Sequence, residues 1–178
     1  MLVKTRLKIN VAVSVLTAFI IVLVLLQAFV RVNRAVEESN IAGEIITCAF
    51  ERNTLRDDYL RTGSARAKNQ WFAKYAQMGI LLKAAAEKFR GAEERKNIQA
   101  LTEDNLRTGR IFAVIVENRE KARSDPELAA LAQEAENRLV SQLRMRVYDR
   151  TLYAVALDEG ARNHQHSALW MAALQSLA

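Results

Sequence analysis

The sequence predicts an all-α protein in which an N-terminal transmembrane helix continues into an antiparallel up-down four-helix bundle. Three observations carry that expectation. The chain of 178 residues opens with a long uncharged apolar run, it holds only six glycines and one proline, and its later apolar residues recur alternately every four and three positions. Alanine, leucine, arginine, glutamate and glutamine dominate, all of which favour helix, while the β-branched and aromatic residues that enrich strands are concentrated near the N-terminus.

Between Lys8 and Arg31 lies INVAVSVLTAFIIVLVLLQAFV, 22 residues without a charge. A helix of that length spans roughly 33 Å at 1.5 Å per residue, about the hydrocarbon thickness of a bilayer. The run exceeds the roughly 7 to 15 apolar residues of a secretory signal and ends in QAFVRV with no small-residue cleavage site, so it is expected to remain as an anchor. Residues 1–8 become a tail and residues 9–30 the span. Asn10, Ser14, Thr17 and Gln27 are polar within it, and are expected near its ends or bonded to backbone.

Lys4, Arg6 and Lys8 stand unopposed on one side of the span, whereas Arg31 and Arg34 on the other are followed by Glu37 and Glu38. The larger basic cluster predicts a cytoplasmic tail in a bacterial inner membrane, with the body periplasmic. The formal charge of +6 arises mostly at this N-terminus, because basic and acidic groups nearly balance after Arg34. A near-neutral body with interleaved signs makes no phosphate-binding face, so nucleic acid is not an expected partner.

Helices are expected at about 31–62, 65–90, 92–123 and 126–170. Ile41, Ile45, Cys48, Arg52, Leu55 and Tyr59 form the first stripe, and the helix continues out of the membrane until Thr62-Gly63-Ser64. Gly63 suits a left-handed C-terminal cap and Ser64 an N-cap, which makes a tight hairpin turn. Trp71, Tyr75, Met78, Leu82, Ala85 and Phe89 form the second stripe, and Gly91 is expected to end that helix. Ile98, Leu101, Asn105, Thr108, Phe112, Ile115 and Arg119 form the third. Ser124 or Asp125 and then Pro126 open the fourth, whose expected face is Leu128, Ala132, Ala135, Leu139, Leu143, Val147, Leu152 and Val155. Very short connections require antiparallel neighbours, so residues 31–166 are expected to form the bundle. Residues 167–178, SALWMAALQSLA, are uncharged and expected to begin a second, truncated span with Trp170 at its interface.

No catalytic, metal or cofactor site is expected. Asp57 and Asp58 are adjacent and point about 100° apart on a helix, so they are expected to pair with Arg56 and Arg61 instead of converging. His164 and His166 are likewise separated, and the chain has no Gly-rich phosphate loop, nucleophile elbow or HExxH. Cys48 is the single cysteine, so it makes no intrachain disulfide and leaves only a second copy's Cys48 as a partner. Arg52 and Arg119 interrupt apolar stripes, where a charge must be paired, reach water or contact an anion. They are the candidate ligand or anion contacts, with Tyr59, Gly63 and Trp71 marking the hairpin tip.

Two segments carry a resemblance. LRDDYLRTGSARAKNQW resembles the hairpin in the periplasmic helical sensor domain of membrane-bound histidine kinases, at Leu55, Tyr59, Leu60, Arg66, Gln70 and Trp71. ENRLVSQLRMRVYDRTLYAVALDEGARN resembles the long returning helix of the same domains. The resemblance implies a homodimer that binds a periplasmic ligand or partner protein and passes a helix shift through a second span to a cytoplasmic kinase module. That module is absent from these residues, since neither His164 nor His166 is followed closely by an acid and then Pro. The alternatives are a membrane-anchored accessory or structural bundle, and the input domain of a chemoreceptor-like transducer. Reporter fusions after Thr62 and at Lys4 are expected to mark opposite compartments, and a cytoplasmic signal after Thr62 would contradict the sensor topology.

Overall fold

A computed structural model describes residues 2–124 and 129–176, apart from the side chains at 2–9, 124, 129–132, 146–150, 165, 168–169 and 171–176. Four helices occur among the described residues: α1 (Leu2–Thr62), α2 (Ala65–Lys88), α3 (Ala92–Ser124) and α4 (Ala129–Ser176). The chain divides into two compact units, residues 1–37 with 161–178, and residues 38–160.

In the first unit, the apolar part of α1 presents its large side chains outward, from Val11 to Val30. α1 is the one described helix long and apolar enough to cross a membrane, as an anchor or as a signal sequence. Thr17 turns its hydroxyl back to the Val13 carbonyl at 2.9 Å, which satisfies one of the run's few polar side chains locally. Helix α4 continues to Ser176 through the segment expected to begin a second span, and Trp170 there is exposed.

In the second unit, α1 stops where its residues dictate. Gly63 holds φ +64°, the left-handed conformation that costs other residues about 1 kcal/mol or more, and its N–H reaches the Tyr59 carbonyl at 2.8 Å. The Ser64 hydroxyl then accepts the Ala67 N–H at 3.4 Å and starts α2. The next boundary differs in detail from expectation. α2 ends at Lys88, because Phe89 already has extended backbone, and the Gly91 carbonyl instead receives the Arg95 N–H at the start of α3. Glu93 and Glu94 occupy the first turn of α3, where the helix dipole favours them. The expected caps Asp125 and Pro126 lie outside the described residues.

Packing in this unit centres on aromatic rings from three helices. Trp71 of α2 stacks on Phe112 of α3 with centroids 3.9 Å apart, and Tyr59 of α1 meets Phe112 edge-on at 5.4 Å. Tyr75 stacks parallel to Trp71 at 5.8 Å. Ala67, Ile115, Val116 and Leu143 complete the buried cluster, so α4 contributes as well. α2 and α3 approach closely at Gly109, where an added Cβ would lie 2.5 Å from a Tyr75 ring carbon.

The fourth stripe departs from expectation. Leu143 is buried, but Leu152 and Val155 are exposed, while Glu136, Ala154 and Leu157 are buried. At 100° per residue, Leu152 lies half a turn away from Leu143, whereas Ala154 returns to within about 20° of it. The five-residue step from Val147 to Leu152 was a break in period, and the small Ala154 holds the true face.

Replacing Trp71 with Ala removes the central ring of this cluster, and is expected to cost about 3–5 kcal/mol of unfolding free energy. Urea denaturation of the detergent-solubilised chain, followed by circular dichroism, measures it. A loss under about 1 kcal/mol would contradict the packing described.

Candidate functional site

The last carbonyls of a helix lack intrahelical donors, and the end of α1 meets that need with arginines from α3. Arg119 follows Ile115 on the buried stripe of α3, one turn beyond the aromatic cluster. Its Nη1 donates to the Tyr59 carbonyl at 2.8 Å and its Nη2 to the Leu60 carbonyl at 2.6 Å. One turn later, Arg123 donates from Nη2 to the Gly63 carbonyl at 3.2 Å. Cations at this helix end also complement the dipole of α1.

The other edge of the same guanidinium holds α4. Nε and Nη2 of Arg119 donate to the two carboxylate oxygens of Glu136, both at 2.6 Å. This two-point geometry is the strong form of an arginine–carboxylate pair. The Glu136 side chain is only 9% exposed and that of Arg119 22%, so water screens the pair less than a surface bridge. The hydrogen bonds to Glu136 hold the Arg119 guanidinium above its ordinary pKa. Its charge also stands over the Tyr59 ring, 5.3 Å from the centroid. Burial pushes the Tyr59 hydroxyl upward, with Arg119 opposing that rise.

A cleft of about 380 Å³ opens over this junction, with Arg61, Gly63, Arg119, Arg123, Gln133 and Glu136 among its lining residues. The adjacent carboxylates Asp57 and Asp58 do not converge there. Asp57 pairs with Arg56 at 2.8 Å and Asp58 with Arg61 at 3.2 Å, as their spacing predicts.

Arg52 occupies a different layer. It is 1% exposed, donates from Nη1 to the Asn105 Oδ1, and stands over the Trp71 ring at 5.7 Å. Roughly 10 Å of α1, about two turns, separate it from the carbonyls that Arg119 caps. The two candidate arginines therefore serve separate layers: solvent reaches the cleft at Arg119, while Arg52 lies inside the packed core. The anion that Arg119 holds in this structure is the chain's own Glu136. Tyr59 and Trp71, proposed as tip landmarks beside Gly63, meet through their shared contact with Phe112.

Cys48 is buried, and its thiol donates to the Lys74 carbonyl at 3.4 Å. Burial pushes the thiol pKa upward, against the nearby charges of Arg52 and Lys74, which keeps it protonated and poorly nucleophilic. Lys74 also bridges to Glu51 at 2.5 Å, a second tie between α1 and α2. Among the described residues no group of three or more His, Cys, Asp or Glu side chains is placed to hold a metal ion.

Sequence reasoning did not single out Glu136 or Arg123. Glu136 stands seven residues before Leu143, so its place on the buried face of α4 was a usable signal. Its partner was not, because pairing across helices depends on their relative rotation. Comparison with protein-family models, with curated proteins and with solved structures finds no match to the chain.

Proposed function

We propose that this chain is the sensory input region of a membrane-bound transducer of the histidine-kinase type, anchored in a bacterial inner membrane with residues 31–166 periplasmic. The observation that carries the reading is the continuity of α1. One unbroken helix, Leu2–Thr62, bears both the apolar segment and the stripe from Ile45 to Tyr59. An uninterrupted helix is stiff along its axis, so a shift or rotation of its folded part is transmitted instead of being absorbed at a flexible joint.

The hydrogen bonds and ring contacts among α1, α2 and α3 support an antiparallel bundle. Cys48 meets Lys74, Glu51 meets Lys74, and Tyr59 shares the aromatic cluster with Trp71, so positions approach one another as the sequence separation shrinks toward Gly63. Polar groups in the stripes support a bundle with more than one packing. Arg52, Asn105 and Thr108 are buried among apolar neighbours, and such groups cost stability compared with a purely apolar interior. In this reading a stimulus shifts the balance between two helix packings, and no substrate is transformed. The exposed Phe50, beside Ile46, Ala49 and Val155 in a groove of about 370 Å³, supports association with a second copy through α1 and α4.

A chimera tests the reading without knowledge of the stimulus. The chain is joined after Ala178, through a complete second span and linker, to a histidine-kinase output module, and one to four alanines are inserted after Val36. Each insertion turns the preceding part of α1 by about 100°. Output is expected to rise and fall with the number of residues added, returning toward the starting level near four. The same output across the whole series would rule out transmission by α1.

A further inference from the structure

We propose that the cleft over the α1–α2 turn binds a short dicarboxylate, one of whose carboxylates takes Arg119 in competition with Glu136. This deepens the sensory reading by naming a class of stimulus, and only its consequence for signalling rests on that reading. Three features of the cleft point to this ligand.

The first is charge. Among the described residues, Arg61, Arg119 and Arg123 line the cleft against the carboxylate of Glu136, and with Asp58 paired to Arg61 one positive charge is left in excess. Two other cavities of similar size in residues 38–160, about 370 Å³ around Phe50 and about 410 Å³ around Tyr75 and Leu82, expose mainly apolar surface.

The second is geometry. Arg119 presents the flat Nε/Nη2 edge of its guanidinium to a carboxylate, and Glu136 occupies that edge with both oxygens at 2.6 Å. The position is thus already shaped for a carboxylate, and a ligand need only reproduce what Glu136 does. Arg119 keeps its hold on the Tyr59 and Leu60 carbonyls whichever carboxylate sits there.

The third is the rim. The Arg61 side chain is 79% exposed, and Arg123 is exposed with one Nη donating to Gly63. A guanidinium carries five N–H donors, so Arg123 beyond its Gly63 bond, and Arg61 beyond its exposed contact with Asp58, keep donors for a second carboxylate of a ligand that spans the cleft. The volume of about 380 Å³ accommodates a small metabolite and excludes little on size alone.

Competition with Glu136 links binding to structure. With the ligand bound, α4 loses its two-point tie to Arg119 of α3, while Arg119 keeps its bonds to the end of α1. The tethered carboxylate also lowers the apparent affinity of the unmodified chain, because the ligand-competent state is only partly populated.

The test is titration of the full chain in detergent with succinate, at constant ionic strength balanced with sodium chloride, read by calorimetry. Glu136→Gln keeps the shape of the side chain and removes the competing charge, so succinate is expected to bind about tenfold more tightly than to the unmodified chain. Arg123→Gln leaves the Arg119 contacts intact and is expected to weaken binding about fivefold. Acetate, which spans nothing, is expected to bind at least about tenfold more weakly than succinate. Equal affinities for the unmodified chain and Glu136→Gln would overturn the competition. Equal affinities for succinate and inorganic phosphate would overturn the dicarboxylate assignment, and no binding to Glu136→Gln would overturn the site. The α1 insertion series uses no ligand, so failure here and failure of the sensory reading are separable.

Discussion

The guanidinium of Arg119 joins three helices at one point, and the tip of residues 38–160 depends on it. Without it, the Leu60 carbonyl loses its side-chain donor, the Tyr59 carbonyl keeps only the Gly63 N–H, and Glu136 is left as a buried charge. Removing one member of such a set costs more than the set itself contributes, because the remaining groups are stranded away from water. The clamp therefore defines where α1 ends relative to α3, and where α4 begins relative to both. The aromatic cluster one turn below packs in the register so defined, with Tyr59 held between its own carbonyl contact and the Phe112 ring.

The interior mixes two kinds of adhesion. Trp71, Phe112, Tyr59 and Leu143 supply apolar burial, which is strong and tolerant of small sliding. Arg52 with Asn105, and Arg119 with Glu136, supply directional bonds, which accept only certain registers. A helical interior built this way favours discrete arrangements over continuous deformation. That property fits the proposed sensory role, in which the cost of switching would lie in the polar layers and not in the aromatic one.

Much of this architecture is legible in the sequence. The uncharged run, the Thr62-Gly63-Ser64 turn and the first three stripes follow from hydrophobic period and capping chemistry, which are local properties. The stripes placed Ile45, Cys48, Arg52, Trp71, Phe112 and Ile115 inside, and the structure buries each of them. The fourth helix resisted the same reading because bulk misled: Leu152 and Val155 look like core, yet the face turns to Ala154 and Leu157. The site was half legible. Arg119 stood out as a charge on an apolar stripe, but Glu136 could be matched to it only once the rotation of α4 was known, and no local pattern specifies that rotation.

In residues 38–160 the ends of three helices are locked by one carboxylate on one guanidinium. The lock itself is the claim most open to measurement. A double-mutant cycle with Arg119→Gln, Glu136→Gln and the pair, read by urea unfolding of the solubilised chain, reports the coupling directly. A coupling free energy of about 1–3 kcal/mol is expected, with the double variant more stable than the sum of the single losses implies. Additive losses, with no coupling beyond about 0.3 kcal/mol, would contradict it.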